Sequence, residues 1–482
     1  MNAMKGLLLG AATGLVAMTG AQAADLPVKA KPVEYVKVCS LYGAGFFYVP
    51  GTDTCLKIGM YIRSQHAYGN AGSIAASFTL NGAGTRTGQD YYTYQDRIML
   101  TTDWRTQSDY GVIRAYAAIL AQQQSNDLGS SGAFSTTGGQ NGGILRAFIQ
   151  FAGFTIGHSV SVFDFTAYNN YGYLAPLFAS TGVNGIDVIA YTWQLGNGVS
   201  VSVDLEDGNN ARAHNLINVN AASVGATGAF AATSGFNNNA ERAWSPDFSG
   251  NIRIDQAWGS AQISGALHNA SAGYNSTNTV SGPDNWGYAV QGGIRLNNFL
   301  MPKDSIEGAV VYSKGAMGYA LSGPAQLGYG SGFSVATGWA PEVVYNNAGQ
   351  SELTAAWTVS GAYEHNWNSQ WRTAVFGGVT QVNFNGNATA LLCNNLATWN
   401  AATTALSNCS PNFSQSQLST RTAWNPHPTL EIGLDLIWLH EGTANAGTAT
   451  VAANGARPAG TYNVEDQDKY MAVLRVIKTI LP

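Results

Sequence analysis

The chain has 482 residues and a formal net charge of −5; only 11% of it is charged, 11% is aromatic, and 57 residues are glycine. An ordinary soluble domain is about 25% charged, and a nucleic-acid binder shows a basic stripe, so the composition argues against both classes and no nucleic-acid partner is expected. The length leaves room for several domains or for one large β architecture.

In chain order, Met1 to Lys5 form a short basic segment, Gly6 to Met18 are almost all apolar or small, and Ala21-Gln22-Ala23 is an A-x-A cleavage site. This pattern predicts a cleaved signal peptide over 1–23 and a mature chain of 459 residues (482 minus 23) from Ala24. The apolar run is shorter than the roughly 20 residues of a spanning helix, and no later stretch reaches that length.

Residues 24–53 form an N-terminal segment rich in turn residues. It contains Cys39, and Cys55 follows it; the other two cysteines are Cys393 and Cys409. In an exported chain, four cysteines read as two disulfides with three possible pairings. The local pairing, Cys39–Cys55 and Cys393–Cys409, is expected because each pair lies 16 positions apart. A loop of that size gains about 3 kcal/mol from cross-linking in the chain-entropy model. A zinc site is not expected, since no C-x-x-C and no finger-spaced histidine is present.

After Cys55 the chain alternates. Leu56, Ile58, Met60 and Ile62 form an apolar stripe, with Lys57 and Arg63 on the other side. The same period of two recurs. Ile98, Leu100, Thr102 and Trp104 oppose Arg97, Met99, Thr101, Asp103 and Arg105, and Thr106 to Asp109 read as a turn. Gly111, Ile113, Ala115, Ala117 and Ile119 oppose Val112, Arg114 and Tyr116; Leu145, Ala147, Ile149 and Phe151 oppose Arg146, Phe148 and Gln150. Ile189 to Leu195 and Val199 to Leu205 flank Gly196-Asn197-Gly198, a tight-hairpin sequence. Further hairpins are predicted in "RIDQAWGSAQISGAL", "AYEHNWNSQWRTAVF" and "TRTAWNPHPTLEIGLDLIWL".

A soluble β-sandwich also alternates. Two features favour a closed transmembrane barrel instead: bulky aromatics near strand ends (Trp104, Tyr191, Trp193, Trp371), and short turns alternating with long polar stretches such as Leu205 to Pro246 and Asn385 to Thr420. In hydrocarbon every backbone polar group must be paired internally, so the sheet must close. A lipid-facing arginine at the midplane costs roughly 2–4 kcal/mol, which assigns Arg63, Arg97, Arg114 and Arg146 to the lumen. The expected fold is all-β, a closed antiparallel barrel over 54–482 of about 16 strands.

The stretches "VEYVKVCSLYGAGFFYVPGTDTCLKIGMYIR", "RTQSDYGVIRAY", "FIQFAGFTIGHSVSVFDF", "GNIRIDQAWGSAQISGALH" and "RTAWNPHPTLEIGLDL" keep their order over nearly the whole mature chain. With them the chain resembles the alphaproteobacterial (Rhizobiales-type) general outer-membrane porins. The resemblance implies 16 strands, a homotrimer embedded in outer-membrane lipid, and a pore in each monomer for passive diffusion of small hydrophilic solutes and ions. It also implies a third extracellular loop that folds inward to narrow the pore, about 159–185. The chain departs from the aromatic ending of many such barrels, closing on Ile480, Leu481 and Pro482, yet alternation through Tyr470, Ala472, Leu474 and Val476 predicts a last strand.

A constriction needs fixed charges of both signs. Lys57, Arg63, Arg97, Arg114 and Arg146 are the expected basic half, and Asp164 in "SVFDF" the acidic half, with Asp187 just beyond the loop and Asp103 placed to pair with a luminal arginine. Phe163, Phe165, Tyr168, Tyr171 and Tyr173 either pack the loop against the wall or form a sugar-stacking track, the latter pointing to a substrate-selective channel. Gly111, Ala115 and Ala117 offer either a lipid face or a trimer contact. No enzyme, cofactor or metal is expected: the seven histidines are scattered without an H-E-x-x-H spacing, and "GYGSGF" lacks the strand–helix context of a nucleotide loop.

Overall fold

The computed structural model describes residues 37–69, 92–124, 140–165, 171–174, 179–182, 184–209, 212, 214, 216–220, 245–273, 282–321, 326–331, 334–395, 403–451 and 459–481. The expected signal peptide over 1–23 and Tyr168 lie outside these residues.

Sixteen strands form the wall. They are β1 (Thr54–Gly69), β2 (Tyr92–Ser108), β3 (Gly111–Gln124), β4 (Gln140–Phe151), β5 (Phe154–Ser159), β6 (Ile186–Gly196), β7 (Val199–Glu206) and β8 (Asp247–Gln256). β9 (Gly259–Asn269), β10 (Trp286–Asn297), β11 (Ser305–Lys314), β12 (Ala355–Asn366), β13 (Trp371–Asn383), β14 (Phe413–His427), β15 (Leu430–Gly442) and β16 (Gln467–Leu481) complete it. Each strand pairs antiparallel with the next, and β16 pairs back onto β1 from Met60↔Leu481 to Gly69↔Met471. The sheet therefore has no free edge, as a wall in hydrocarbon requires. The strand expected at the C-terminal end is the one that closes it.

One end of the barrel is made of short turns. Asp109-Tyr110, Ala152-Gly153, Asn197-Gly198, Ala257-Trp258 and Pro428-Thr429 each connect two strands. Asn197 and Gly198 take φ of 51° and 75°, the left-handed pair of a twist-matched hairpin. A Cβ on Gly198 would lie 2.0 Å from the Asp255 carbonyl oxygen, so only glycine fits. The turn expected over Thr106 to Asp109 is shorter than the sequence suggests. Thr106, Gln107 and Ser108 stay paired to Ile113, Val112 and Gly111, because a barrel wall continues past the hydrocarbon into water, where polar residues pair equally well.

The other end carries the long connections, among them 160–185, 207–246, 315–354 and 384–412. The last of these holds a helix, α1 (Gly386–Asn394), capped by the Asn385 side chain, which accepts from the Ala388 amide at 2.8 Å. Both expected disulfides are present: Cys393–Cys409 staples the end of α1 to the approach of β14, and Cys39–Cys55 ties the N-terminal segment to the start of β1. Beside the second bridge, Phe47 and Tyr48 pair with Leu56 and Cys55.

Alternation sorts the side chains. On β9 Ile263 is 73% exposed outward, while its neighbour Gln262 is 3% exposed inward. Exposed Trp104, Trp193, Trp258, Trp371 and Trp424 ring the turn end, and Tyr68, Tyr92, Trp286, Tyr288, Trp357 and Tyr470 ring the loop end. These are the two aromatic girdles of a membrane barrel. On β4 the outward stripe departs from the expected Leu145. A bulge between the Ala118↔Arg146 and Ile119↔Ile144 pairs shifts the register, and Ile144 takes the outward place.

Candidate pore constriction

Residues 160–185 connect Ser159, the end of β5, to Ile186, the start of β6. Its described residues lie against the inner wall, which supplies partners to their backbone. The Phe163 carbonyl accepts from Gln262 Nε2 (3.1 Å) and Ser264 Oγ (2.9 Å) of β9. Tyr171 donates its hydroxyl to Glu307 of β11 at 2.8 Å, and Gly172 sits against Phe376 of β13, where a Cβ would fall 2.1 Å from the ring. The Tyr173 amide donates to Asp435 of β15 (2.7 Å), and its hydroxyl to Glu431 (3.1 Å). Arg475 of β16 donates to the Tyr173 carbonyl at 2.9 Å, and its guanidinium stands 4.0 Å from the Tyr173 ring centroid. On the return, Arg146 of β4 donates to the Gly182 carbonyl at 2.6 Å, and His158 pairs with the Asn184 carbonyl at 2.7 Å. The loop thus crosses the lumen from β9 to β16 and comes back to β4.

Asp164 is in this loop, as expected, but it faces protein. Its side chain is 5% exposed. One carboxylate oxygen accepts from the Thr181 amide (2.6 Å) and hydroxyl (2.7 Å), and the other from Arg212 at 2.9 Å. Arg212, which sequence reasoning missed, enters from the 207–246 connection and is 1% exposed. It also donates to Glu206 (3.2 Å) and to the Gly318 carbonyl (3.2 Å), and it lies 4.2 Å from the Tyr319 ring centroid. Burial opposes its charge, but Asp164 and Glu206 overcome that and hold the guanidinium above its ordinary pKa. The Tyr319 hydroxyl lies 2.6 Å from Glu206 and 2.8 Å from Asp247, its one proton shared between them, and burial with those two carboxylates pushes its phenol well up. Beyond Asp247, His268 pairs with Asp247 at 2.7 Å and with Glu342 at 3.1 Å. This buried chain joins three long connections to β7, β8 and β9.

The expected basic residues fall into three groups. Arg114 lies three residues from the turn, opposite Arg105, and both hold Asp103 at 2.9 and 2.8 Å; Lys57 is the register partner of that aspartate. This is the turn-side mouth, and Asp103 takes the ion-pair role expected of it. Arg146 is a loop anchor. Arg63 and Arg97 are register partners on the inner face and are joined there by Arg475, whose own partner Gln65 neighbours Arg63 on β1. Arg97 donates twice to Gln122 (2.9 and 2.6 Å), Arg63 donates to Gln95, and Arg475 donates to Gln65 at 2.8 Å. Arg475 is the further luminal base: the alternation that placed Leu474 and Val476 outward also turns it inward. Asp187 lies on the outer rim beside His158, 3.4 Å away, and does not reach the lumen.

Phe163, Tyr171 and Tyr173 are buried. Phe165 packs beside Gly293, with its ring centroid 5.4 Å from the Arg253 guanidinium carbon. These described aromatics pack the loop against the wall.

The porin subfamily matches residues 25–473 of this chain. Among curated relatives, the porin Omp2b of Brucella canis is 33% identical over 220 residues, covering 42% of this chain and 54% of the relative. Omp2b of Brucella suis biovar 1 is 33% identical over 212 residues with the same coverage. The chain thus spans about half the length of the curated relatives it matches. The outer membrane channel DcaP of Acinetobacter baumannii superposes with a TM-score of 0.58 at 11% identity, covering 90% of this chain and 99% of that one, a likeness of fold. The family match over most of the chain, on a closed barrel with a loop folded through its lumen, places the protein in the bacterial outer membrane: the chain belongs to the porin subfamily.

Proposed function

We propose that the protein is a passive pore for small hydrophilic solutes and ions, working as a homotrimer. One observation carries this reading: a closed 16-stranded wall whose outer face is apolar encloses a charged inner face, against which the described residues of 160–185 are hydrogen-bonded. Arg97, Arg63 and Arg475 line the passage beside the loop, with Arg146 anchoring its return and Arg114, Lys57 and Asp103 at the mouth. Family membership supports a channel rather than an enzyme. Residues 1–23 act as the export signal, and 24–53 as a segment clamped to β1 by its disulfide.

The trimer reading rests on the outer face of β2 to β4. Ala117 pairs in register with Thr102 and Ala147, a small-residue spot on the outer face bordered by Trp104 and Ile149 on either side of Ala115, where three barrels can approach closely. The sugar-selective reading receives no such support, because the described loop rings are used in packing. Planar-bilayer recording tests the proposal: the full chain gives ohmic steps in potassium chloride, and a folded protein without conductance sinks it.

A further inference from the structure

We infer that Arg63, Arg97 and Arg475 form one luminal binding site for small oxyanions and make the pore anion-preferring. The inference rests on the pore reading above and names the solute class of that same passage.

The three arginines lie on the inner faces of three consecutive strands, β2, β1 and β16, in two adjacent rows of register partners. One row runs Gln122, Arg97, Arg63; the next runs Gln124, Gln95, Gln65, Arg475. Their hydrogen-bond partners are the neutral amides Gln122, Gln95 and Gln65 and the Tyr173 carbonyl. Among the described residues, no carboxylate ion-pairs with any of the three. Elsewhere inside the barrel Arg105 and Arg114 hold Asp103, Arg253 holds Asp255, and Arg421 and Arg372 hold Glu364 and Glu431. Amide oxygens orient a guanidinium without cancelling its charge, so this row of glutamines fixes three forks and leaves three positive charges standing.

Donors also remain. Arg63 is 9% exposed, and its Nε is buried with no hydrogen-bond partner. A guanidinium presents five N–H groups in a plane that matches an oxyanion bidentately. The carboxylates that could have opposed this cluster are engaged. Asp164 is held by Arg212 and Thr181; Glu431 is held by Arg372 and the Tyr173 hydroxyl; Asp435 takes the Tyr173 amide. The loop meets the cluster with a carbonyl and a ring, not with a negative charge. Local fixed charge sets the preference of a pore, so the chain's net charge of −5 does not decide it.

The test uses the full chain in planar bilayers. Reversal potentials in a potassium chloride gradient read the chloride-to-potassium preference, and inorganic phosphate is titrated against the chloride current. The wild type should prefer chloride, and phosphate should lower its current saturably. Each of Arg63→Gln, Arg97→Gln and Arg475→Gln should reduce the preference by about threefold, the effect of one unit charge at roughly 7 Å in water. Lys303→Gln, at an exposed residue of the turn before β11, should leave it unchanged. Arg97→Lys keeps the charge but not the fork, so it should keep the chloride preference and weaken the phosphate block. Potassium preference in a conducting wild type, or a chloride current indifferent to phosphate, overturns the site and leaves the pore standing. A folded barrel without conductance overturns both readings. Should a glutamine variant fail to fold, the wild-type phosphate titration decides alone.

Discussion

Replacing Arg212 with methionine should unlock the loop proposed to narrow the pore. The guanidinium is almost wholly buried, and it stands between Asp164, also buried, and Glu206, which is fully enclosed. Methionine fills much of the volume against Tyr319 but leaves both carboxylates facing nothing positive. Removing one partner of a buried pair costs about 3–5 kcal/mol. The barrel does not bear this cost as a whole, because sixteen closed strands stay paired; the cheapest relief is for the Asp164 segment to leave its seat. A shift of about 3 kcal/mol multiplies the undocked fraction by roughly a hundred. Asp164→Asn should act in the same direction but less strongly. An amide cannot accept from Thr181 with one end and from Arg212 with the other, so one donor must face another; leaving such a buried group unsatisfied costs about 1–3 kcal/mol. Single-channel recording is the assay. Transient closures and sub-conductance steps should rise at least tenfold in Arg212→Met and by less in Asp164→Asn, with heat-modifiable migration confirming the folded barrel. A folded Arg212→Met channel with wild-type open-state noise would refute the reasoning.

The other outcomes are more local. Arg146→Met removes the donor to the Gly182 carbonyl and should raise channel noise without changing barrel stability, read by recordings beside thermal melts. Reducing Cys393–Cys409, or replacing both residues with serine, should cost about 3 kcal/mol by the chain-entropy account and appear as proteolysis of the 384–412 connection in an otherwise intact barrel. Ala117→Trp should dissociate the proposed trimer in unheated electrophoresis; a stable trimer carrying that tryptophan would move the contact elsewhere. Asp304, in the turn before β11, is opposed by burial, but hydrogen bonds from His365 (2.8 Å), Tyr363 (2.6 Å) and the Asn366 amide (3.0 Å) hold it below the usual carboxylate range. Its contribution is complete above the unfolded aspartate value of about 4 and is lost as pH falls below that through the lowered native value. Asp304→Asn should therefore flatten this part of the acid limb of the melting curve.

The wall was legible because period two is a local property. Any stretch such as Leu56 to Ile62 declares which side is apolar, and bilayer physics then turns Arg63, Arg97, Arg114 and Arg146 inward. Cysteine spacing disclosed both bridges. What local pattern could not show is which inward charge meets which partner. Arg114 and Arg97 look alike in sequence. One neutralises Asp103 and the other does not, because the register sets Asp103 beside the first and Gln122 beside the second. The Leu145 bulge escaped for the same reason: it appears only when two strands are set side by side.

Arg212 is the deepest case. It sits in a long polar connection where nothing in the neighbouring residues marks it, and its partners come from sequence positions as distant as Gly318. Its consequence runs through the whole site. The loop carries one carboxylate in its described span, Asp164, and a reading from sequence naturally gives that charge to the passage. Once Arg212 takes it, the loop is held in place by the same residue that strips it of exposed charge. The field in the lumen is then left to the wall, where the cations nearest the loop are paired with amides. On the proposed reading of the pore, docking the loop and setting its charge preference are therefore coupled in one ion pair. A variant that frees Asp164 should not only loosen the loop but also return a negative charge to the passage, moving conductance noise and reversal potential together.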